Sequence, residues 1–417
     1  MRFPLPTCLA ALVLLFHATS AHAQWTRVAD VPVSTIYSAW ANGDTIAAGS
    51  DSSAYVSVDG GLTWKHTADV ASGISAVSAV RLRNGRLYAG TSGKGVFVSD
   101  DLGDTWIAFN QGLTGGLFNS QLFISDLLLD GDRMLAATSG AGAYARDLTA
   151  GNWAHFGEEF EPNQSSNLND VAAGGSRLVA CGGFNGTVFW RDPGDPDWTL
   201  SWLEERGITP GLAALTAAWN GFGWVVGSNI GVYRSVTGQG PWTLGGPNLG
   251  TLLFTSFATR GRDLFAAFQS GSNAVVSISA DDGATWRELE TLPFTFVFEI
   301  ARSGSVLYAG RADGLWRRSI ADVSVPSEPR APGRFALAGA QPVRGAARFR
   351  FALETSGDVR IDVFDAAGRR VATVTHGAYG AGAHALDWDA HALAPGVYEA
   401  RFLTRDRVET TRLVRVR

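Results

Sequence analysis

The stretch "SVDGGLTW" (residues 57–64) returns as "SDDLGDTW" (99–106) and "SADDGATW" (279–286). Asp and Gly stand where a tight turn needs them, and Thr-Trp restarts an extended run. A second motif accompanies these turns, a short apolar run ending in small residues. It occurs seven times, as "GDTIAAGS", "GRLYAGTS", "GDRMLAATS", "GSRLVACGG", "GFGWVVGSN", "GRDLFAAFQ" and "GSVLYAGRA". Each copy leads into a further strand, and the first six then reach Trp64, Trp106, Trp153, Trp198, Trp242 and Trp286, spaced by 42, 47, 45, 44 and 44 residues. A period near 44 with four short strands per unit predicts the blades of a β-propeller.

The seventh copy runs through "GLWRRSI" (314–320) and has no Trp strand after it. The missing piece lies at the other end, as "WTRVADV" (25–31), 39 residues before Trp64. The first strand is therefore expected to complete the last blade and leave no free sheet edge. The fold class is all-β, a seven-bladed propeller over residues 24–320. A Pro-rich linker follows at 321–334, and the alternating runs of 335–417 read as a small antiparallel β-sandwich.

Composition narrows the function. Residues 1–23 read as a secretory signal: Arg2, the apolar "LAALVLLF" (9–16) and an Ala21-His22-Ala23 cleavage site, with Gln24 opening the mature chain. Cys8 precedes the apolar core, so it is badly placed for a lipid anchor. Removing the signal leaves Cys181 alone, so no intramolecular disulfide can form. No later apolar run nears the ~20 residues that span a bilayer. The expected location is secreted or at the cell surface. A net charge of −5 gives no general case for nucleic-acid binding. That charge is divided: the propeller segment is acidic and residues 333–417 are basic. The two could attract each other, with salt screening the effect.

The repeated turn resembles the Asp box, or bacterial neuraminidase repeat. Three copies match in full: Ser57, Asp59, Gly61, Thr63 and Trp64; Ser99, Asp101, Gly103, Thr105 and Trp106; Ser279, Asp281, Gly283, Thr285 and Trp286. The resemblance covers 25–320. It implies a structural role at the outer rim, with each Asp accepting backbone N–H bonds in its turn and each Trp packing between blades. One carboxylate per turn is too few for a calcium site. Asp-box propellers include sialidases, endo-glucanases, sorting receptors and photosystem assembly factors, and the fold does not choose among them. Sialidases carry an Arg-Ile-Pro segment, an arginine triad and a Tyr–Glu pair. Here "TRVADVP" separates Arg27 from Pro32, and no triad can be assigned.

The tail resembles the type A sorting domain of type IX secretion and the Ig-like module of flagellar hook scaffolds. The matching residues are Asp365, Gly368, Arg369 and Val371; Ala381, Gly382, His384, Trp388 and Asp389; Pro395, Gly396, Val397 and Tyr398. The usual Pro-Asn-Pro-Phe opening is replaced by "AQPV" (340–343). The resemblance implies export through the periplasm of a diderm bacterium, with outer-membrane secretion machinery as the partner.

Aligning the seven copies on the turn glycine gives an innermost column of Ser38, Val80, Asp126, Asp170, Thr216, Ser256 and Glu299. Innermost strands line the axial funnel, where propellers bind ligands. Asp126, Asp170 and Glu299 could hold a cation or act as an acid/base pair. Equally, each could bond neighbouring backbone. Two long loops add Glu158, Glu159, Glu161, Trp202 and Glu204, an aromatic-and-acid mixture that suits sugars or else stands solvated. The five His that remain show no metal-ligand spacing, and Cys181 reads as a small core residue. No cofactor motif occurs. The expected function is non-catalytic binding or scaffolding, with a glycan or protein ligand at the propeller face. The alternative is a glycoside hydrolase, sialidase-like or glucanase-like, using two of the three funnel carboxylates.

Overall fold

The small-residue motif decides how the strands assemble. A strand ending in Ala and Gly presents almost no side chain, so a neighbouring sheet can approach its backbone closely. A Cβ added at Gly49 would lie 2.4 Å from both the Ser38 hydroxyl and the Val77 carbonyl of the next sheet. In a computed structural model of the chain, these motifs are the second strands of seven four-stranded antiparallel sheets. The structure describes residues 24–416 except 33, 114–116, 158–166, 175–176, 184, 205–208, 222, 236, 246–252, 262, 322, 324–334, 339–342, 344–345, 354–355, 367, 381 and 406. The signal-like segment and most of the linker lie outside the described residues.

Six of the seven sheets are simple meanders, each strand paired to the next in sequence. Their innermost strands are Ser38–Asn42, Val77–Arg83, Ile124–Asp130, Leu168–Gly174, Ala214–Trp219 and Leu253–Arg260. The remaining sheet begins with Val297–Ser303 and ends with a strand from elsewhere in the chain. Thr26–Arg27 supplies that outer strand, with Thr26 opposite Arg317 and Arg27 opposite Trp316. Each innermost strand packs beside the next, and Val297–Ser303 packs beside Ser38–Asn42, so the sheets close a ring.

The apolar clusters lie between sheets. Tyr55 and Ile46 of the first sheet share a cluster with Tyr308 and Leu315 of the last. Tryptophan repeats this arrangement around the ring. Trp153 packs with Tyr88 and Val98 of the preceding sheet, and Trp198 with Leu135 and Ala137. Trp25 packs with Phe265 and Ala267, which gives it the same place on the closing strand. Each fully buried ring contributes roughly 1.5–3 kcal/mol of apolar transfer.

Two further sheets follow. Phe335–Ala338, Ala346–Leu353 and Gly382–Asp389 form one; Arg370–Tyr379, Gly357–Phe364, Gly396–Leu403 and Val408–Arg415 form the other. Alternating apolar residues from both, among them Phe349, Phe351, Val359, Ile361 and Phe402, make one core. Asp365 holds the turn before Arg370 by accepting from the Arg369 backbone N–H at 3.0 Å and its Nε at 2.9 Å.

Candidate functional site

The three Ser-x-Asp-x-Gly-x-Thr-Trp turns share one geometry. Asp101 accepts from the Thr105 N–H at 2.9 Å, the Thr105 hydroxyl at 2.6 Å and the Ser99 hydroxyl at 2.7 Å. Asp59 makes the corresponding bonds with Thr63 and Ser57, and Asp281 with Thr285 and Ser279. The Thr63 and Thr105 bonds hold Asp59 and Asp101 well below the usual carboxylate range. For Asp281 burial works upward, and the Thr285 and Ser279 bonds with the Arg234 charge outweigh it. Gly61 has φ 83°, and a Cβ there would meet the Tyr308 hydroxyl at 2.1 Å. These turns also join neighbouring sheets. Gly103 O accepts from the Ala68 N–H at 2.8 Å, Gly61 O accepts from Arg317 at 3.1 Å, and the Trp106 indole donates to Ala68 O at 3.1 Å. Among the described residues no cluster of His, Cys, Asp or Glu could hold a metal ion.

The innermost column is set by a β-bulge, which skips one residue of the innermost strand at this point in six of the seven sheets. The residue after the bulge faces the second-strand small residue: Asp126 opposite Ala137, Asp170 opposite Cys181, Thr216 opposite Gly227, Ser256 opposite Ala267 and Glu299 opposite Gly310. Ser38 stands opposite Gly49. In the second sheet this place belongs to Ala79, opposite Gly90, which corrects the expectation of Val80. There the hairpin is Asn84-Gly85, with both residues at positive φ, so the glycine is the second turn residue and not the first. Counting from it slips the column by one, and Val80 is instead fully buried between the first two sheets.

Each described carboxylate of the column reaches to the next sheet. Glu299 Oε2 accepts from the Ala39 N–H at 2.7 Å. Asp170 Oδ2 accepts from the Ala217 N–H and the Thr216 hydroxyl, both at 2.8 Å. Asp126 Oδ2 accepts from the Val171 N–H at 3.4 Å, and Asp126 Oδ1 from Arg81 Nη2 at 2.6 Å. Ser256 Oγ accepts from the Ile300 N–H at 3.2 Å, and Ser38 Oγ donates to Val77 O at 2.9 Å. The acceptors meet the residue that follows the next sheet's own column position. In the bulged sheets the bulge leaves an N–H near this point outside its own ladder, and the neighbouring side chain satisfies it; Ala39, bound by Glu299, lies in the first sheet, which has no bulge.

The three acids also meet one another. Asp170 and Glu299 both act on Asp126 by charge. Burial pushes Asp126 well up, against the Arg81 guanidinium, and the two neighbouring carboxyls push it further. Burial lifts Glu299 to about 7, opposed by Arg81 and the Ala39 bond. Arg81 has its other Nη on Val80 O at 2.7 Å and is the one cation described against this group. Nothing in a single strand marks Arg81, because its partner lies in another sheet.

The loop residues are less concentrated. Trp202 is half-buried opposite Thr187, and Glu204 accepts from the Tyr233 hydroxyl. Glu158, Glu159 and Glu161 lie outside the described residues. Cys181 is fully buried, and burial pushes its thiol up, away from nucleophilic use.

No family model matches the chain, and no curated protein matches it. Solved structures do. YCF48 bound to a D1 peptide is 15% identical, with a TM-score of 0.54 over 73% of this chain and 96% of that one. PorZ, an essential surface component of the type IX secretion system of Porphyromonas gingivalis, is 16% identical, with a TM-score of 0.53 over 92% of this chain. An extracellular domain from B. thetaiotaomicron, BT4673, is 11% identical, with a TM-score of 0.57 over 95% of this chain. The chain spans 60% of the length of each of the last two. These likenesses show the fold, an all-β chain containing a β-propeller. Among the described residues no helix is long and apolar enough to cross a membrane.

Proposed function

We propose that this chain is a non-catalytic binding or scaffold protein, displayed at the cell surface or secreted, built on a seven-bladed Asp-box propeller. The observation that carries this reading is the use of the axial carboxylates. Asp126, Asp170 and Glu299 each accept a backbone N–H from the next sheet. Asp126 Oδ1 is also taken by Arg81 Nη2 at 2.6 Å, and Asp170 Oδ2 by the Thr216 hydroxyl at 2.8 Å. Acids so engaged clamp neighbouring sheets together, a structural use of the axial carboxylates.

The rest of the proposal rests on the tail and the N-terminus. Residues 335–417 are read as an Ig-like β-sandwich sorting domain of the type IX kind, joined by the 321–334 linker, and residues 1–23 as the export signal. The motif residues Asp365, Gly368 and Arg369 support this, and so does likeness to PorZ, a component of that secretion system. Partners are then the outer-membrane secretion machinery and a peptide, protein or glycan at the propeller face. YCF48 offers the parallel of a propeller with a bound peptide.

One feature favours hydrolysis instead. Glu299, held near 7, has the proton affinity of a general acid. The test is an assay of the mature chain on sialosides and β-glucans beside its E299Q and D170N variants. No turnover is expected from any of the three. Turnover by the mature chain that either variant abolishes would overturn the non-catalytic reading.

A further inference from the structure

In a ring of repeats, positions that serve only the fold should look alike from sheet to sheet. The position two residues after the axial column does not. It is Ala172, Ala218, Ala258 and Ala301 in the last four sheets, and Trp40, Arg81 and Leu128 in the first three. The three large residues line one cavity of about 500 Å³, where the first three innermost strands run out into their hairpins. Asn42, Arg83 and Asn84 complete its polar wall. The volume falls in the range of small-ligand sites, ~300–1,000 Å³.

We infer that this cavity binds an uncharged saccharide of the neutral hexose class. The inference rests on the binding reading above and names a ligand class for it. Both guanidiniums already have partners, Arg81 on Asp126 and Arg83 on Asp132, each at 2.6 Å. The wall therefore offers N–H donors in directions set by those partners. Two asparagine amides, each both donor and acceptor, stand beside them. Hydroxyl groups, which donate and accept, match such a wall better than a carboxylate or phosphate does. Trp40 supplies an aromatic surface for sugar C–H groups. The acidic balance of the propeller segment also disfavours an anion here.

The test is calorimetric titration of the mature full-length chain with neutral hexose disaccharides, and with glucuronate and galacturonate as charged counterparts. Thr45 also lines the cavity, so T45W fills it. R83Q removes a guanidinium from the exposed end. Thermal melts of both variants establish that each is folded. Expected is saturable binding of at least one neutral sugar, weakened about tenfold in R83Q, as the loss of one charge-assisted hydrogen bond predicts, and abolished in T45W. Binding that survives T45W, no binding of any neutral sugar, or tighter binding of the uronates would each overturn the assignment. Those results leave the non-catalytic reading intact. Cleavage of a bound sugar would instead overturn that reading while leaving the pocket assigned.

Discussion

At the scale of single residues, two sets of carboxylates act on stability in opposite pH directions. Asp59 and Asp101 are held below the ordinary Asp range by their turn bonds. Their stabilisation is complete above the unfolded value and is lost as pH falls through the lowered one. Glu299 has a folded value of about 7 against an unfolded value of 4.5. It binds its proton more tightly when folded, so its contribution is complete below 4.5 and is lost as pH rises through about 7. Asp126 acts in the same sense. Urea midpoints measured from pH 4.5 to 8 should therefore fall across that interval. E299Q keeps an acceptor for the Ala39 N–H and should flatten the slope, gaining about 1–3 kcal/mol at pH 8 relative to the unmodified chain. An unchanged slope would mean that Glu299 does not titrate in this window. The boxes give a second expectation. D281A leaves the Thr285 N–H without its acceptor and should cost about 1–3 kcal/mol, read as a drop of a few degrees in Tm.

At the scale of elements, one of the shortest strands of the ring is also its clasp. Thr26–Arg27 is two residues long and exposed, and its pairing with Gly314–Ser319 covers what would be an open sheet edge. Flanking residues hold it: Trp25 and Val28 are buried, and the Val28 N–H donates to Leu315 O at 2.8 Å. W25A should cost roughly 3–5 kcal/mol, the range for a large buried aromatic, measured by denaturant unfolding. Removing residues 24–31 should expose the 314–319 edge and produce concentration-dependent association in size-exclusion chromatography. A shortened chain that stays monomeric with an unchanged melt would show that the ring does not need this strand.

At the scale of the whole molecule, the propeller and the two tail sheets have separate apolar cores, and a segment with three prolines stands between them in the sequence. Deleting residues 335–417 should leave a propeller that melts cooperatively near the temperature of the parent. In a diderm host with type IX secretion, the shortened protein should accumulate in the periplasm, detected by fractionation. Normal export of the deleted form would overturn the sorting role proposed for the tail. Failure of the propeller to fold alone would overturn the independence of the two parts.

The repeat carries its own evidence in the sequence. Box glycines, small-residue strands and tryptophans recur at one period because each sheet meets the same packing demands against its neighbour. The displaced "WTRVADV" was readable for that reason, since one unit lacked what the six others had. The axial column was readable only in part. Counting from the turn glycine assumes one turn geometry throughout, and Asn84-Gly85 breaks that assumption, so Val80 stood where Ala79 belongs. The partners of Asp126, Asp170 and Glu299 were not readable at all. They are backbone N–H groups of the next sheet, together with Arg81, some 45 to 260 residues away. Sequence periodicity reports what each strand repeats. Which donor faces which acid depends on how adjacent sheets are staggered around the axis, and only the closed ring fixes that.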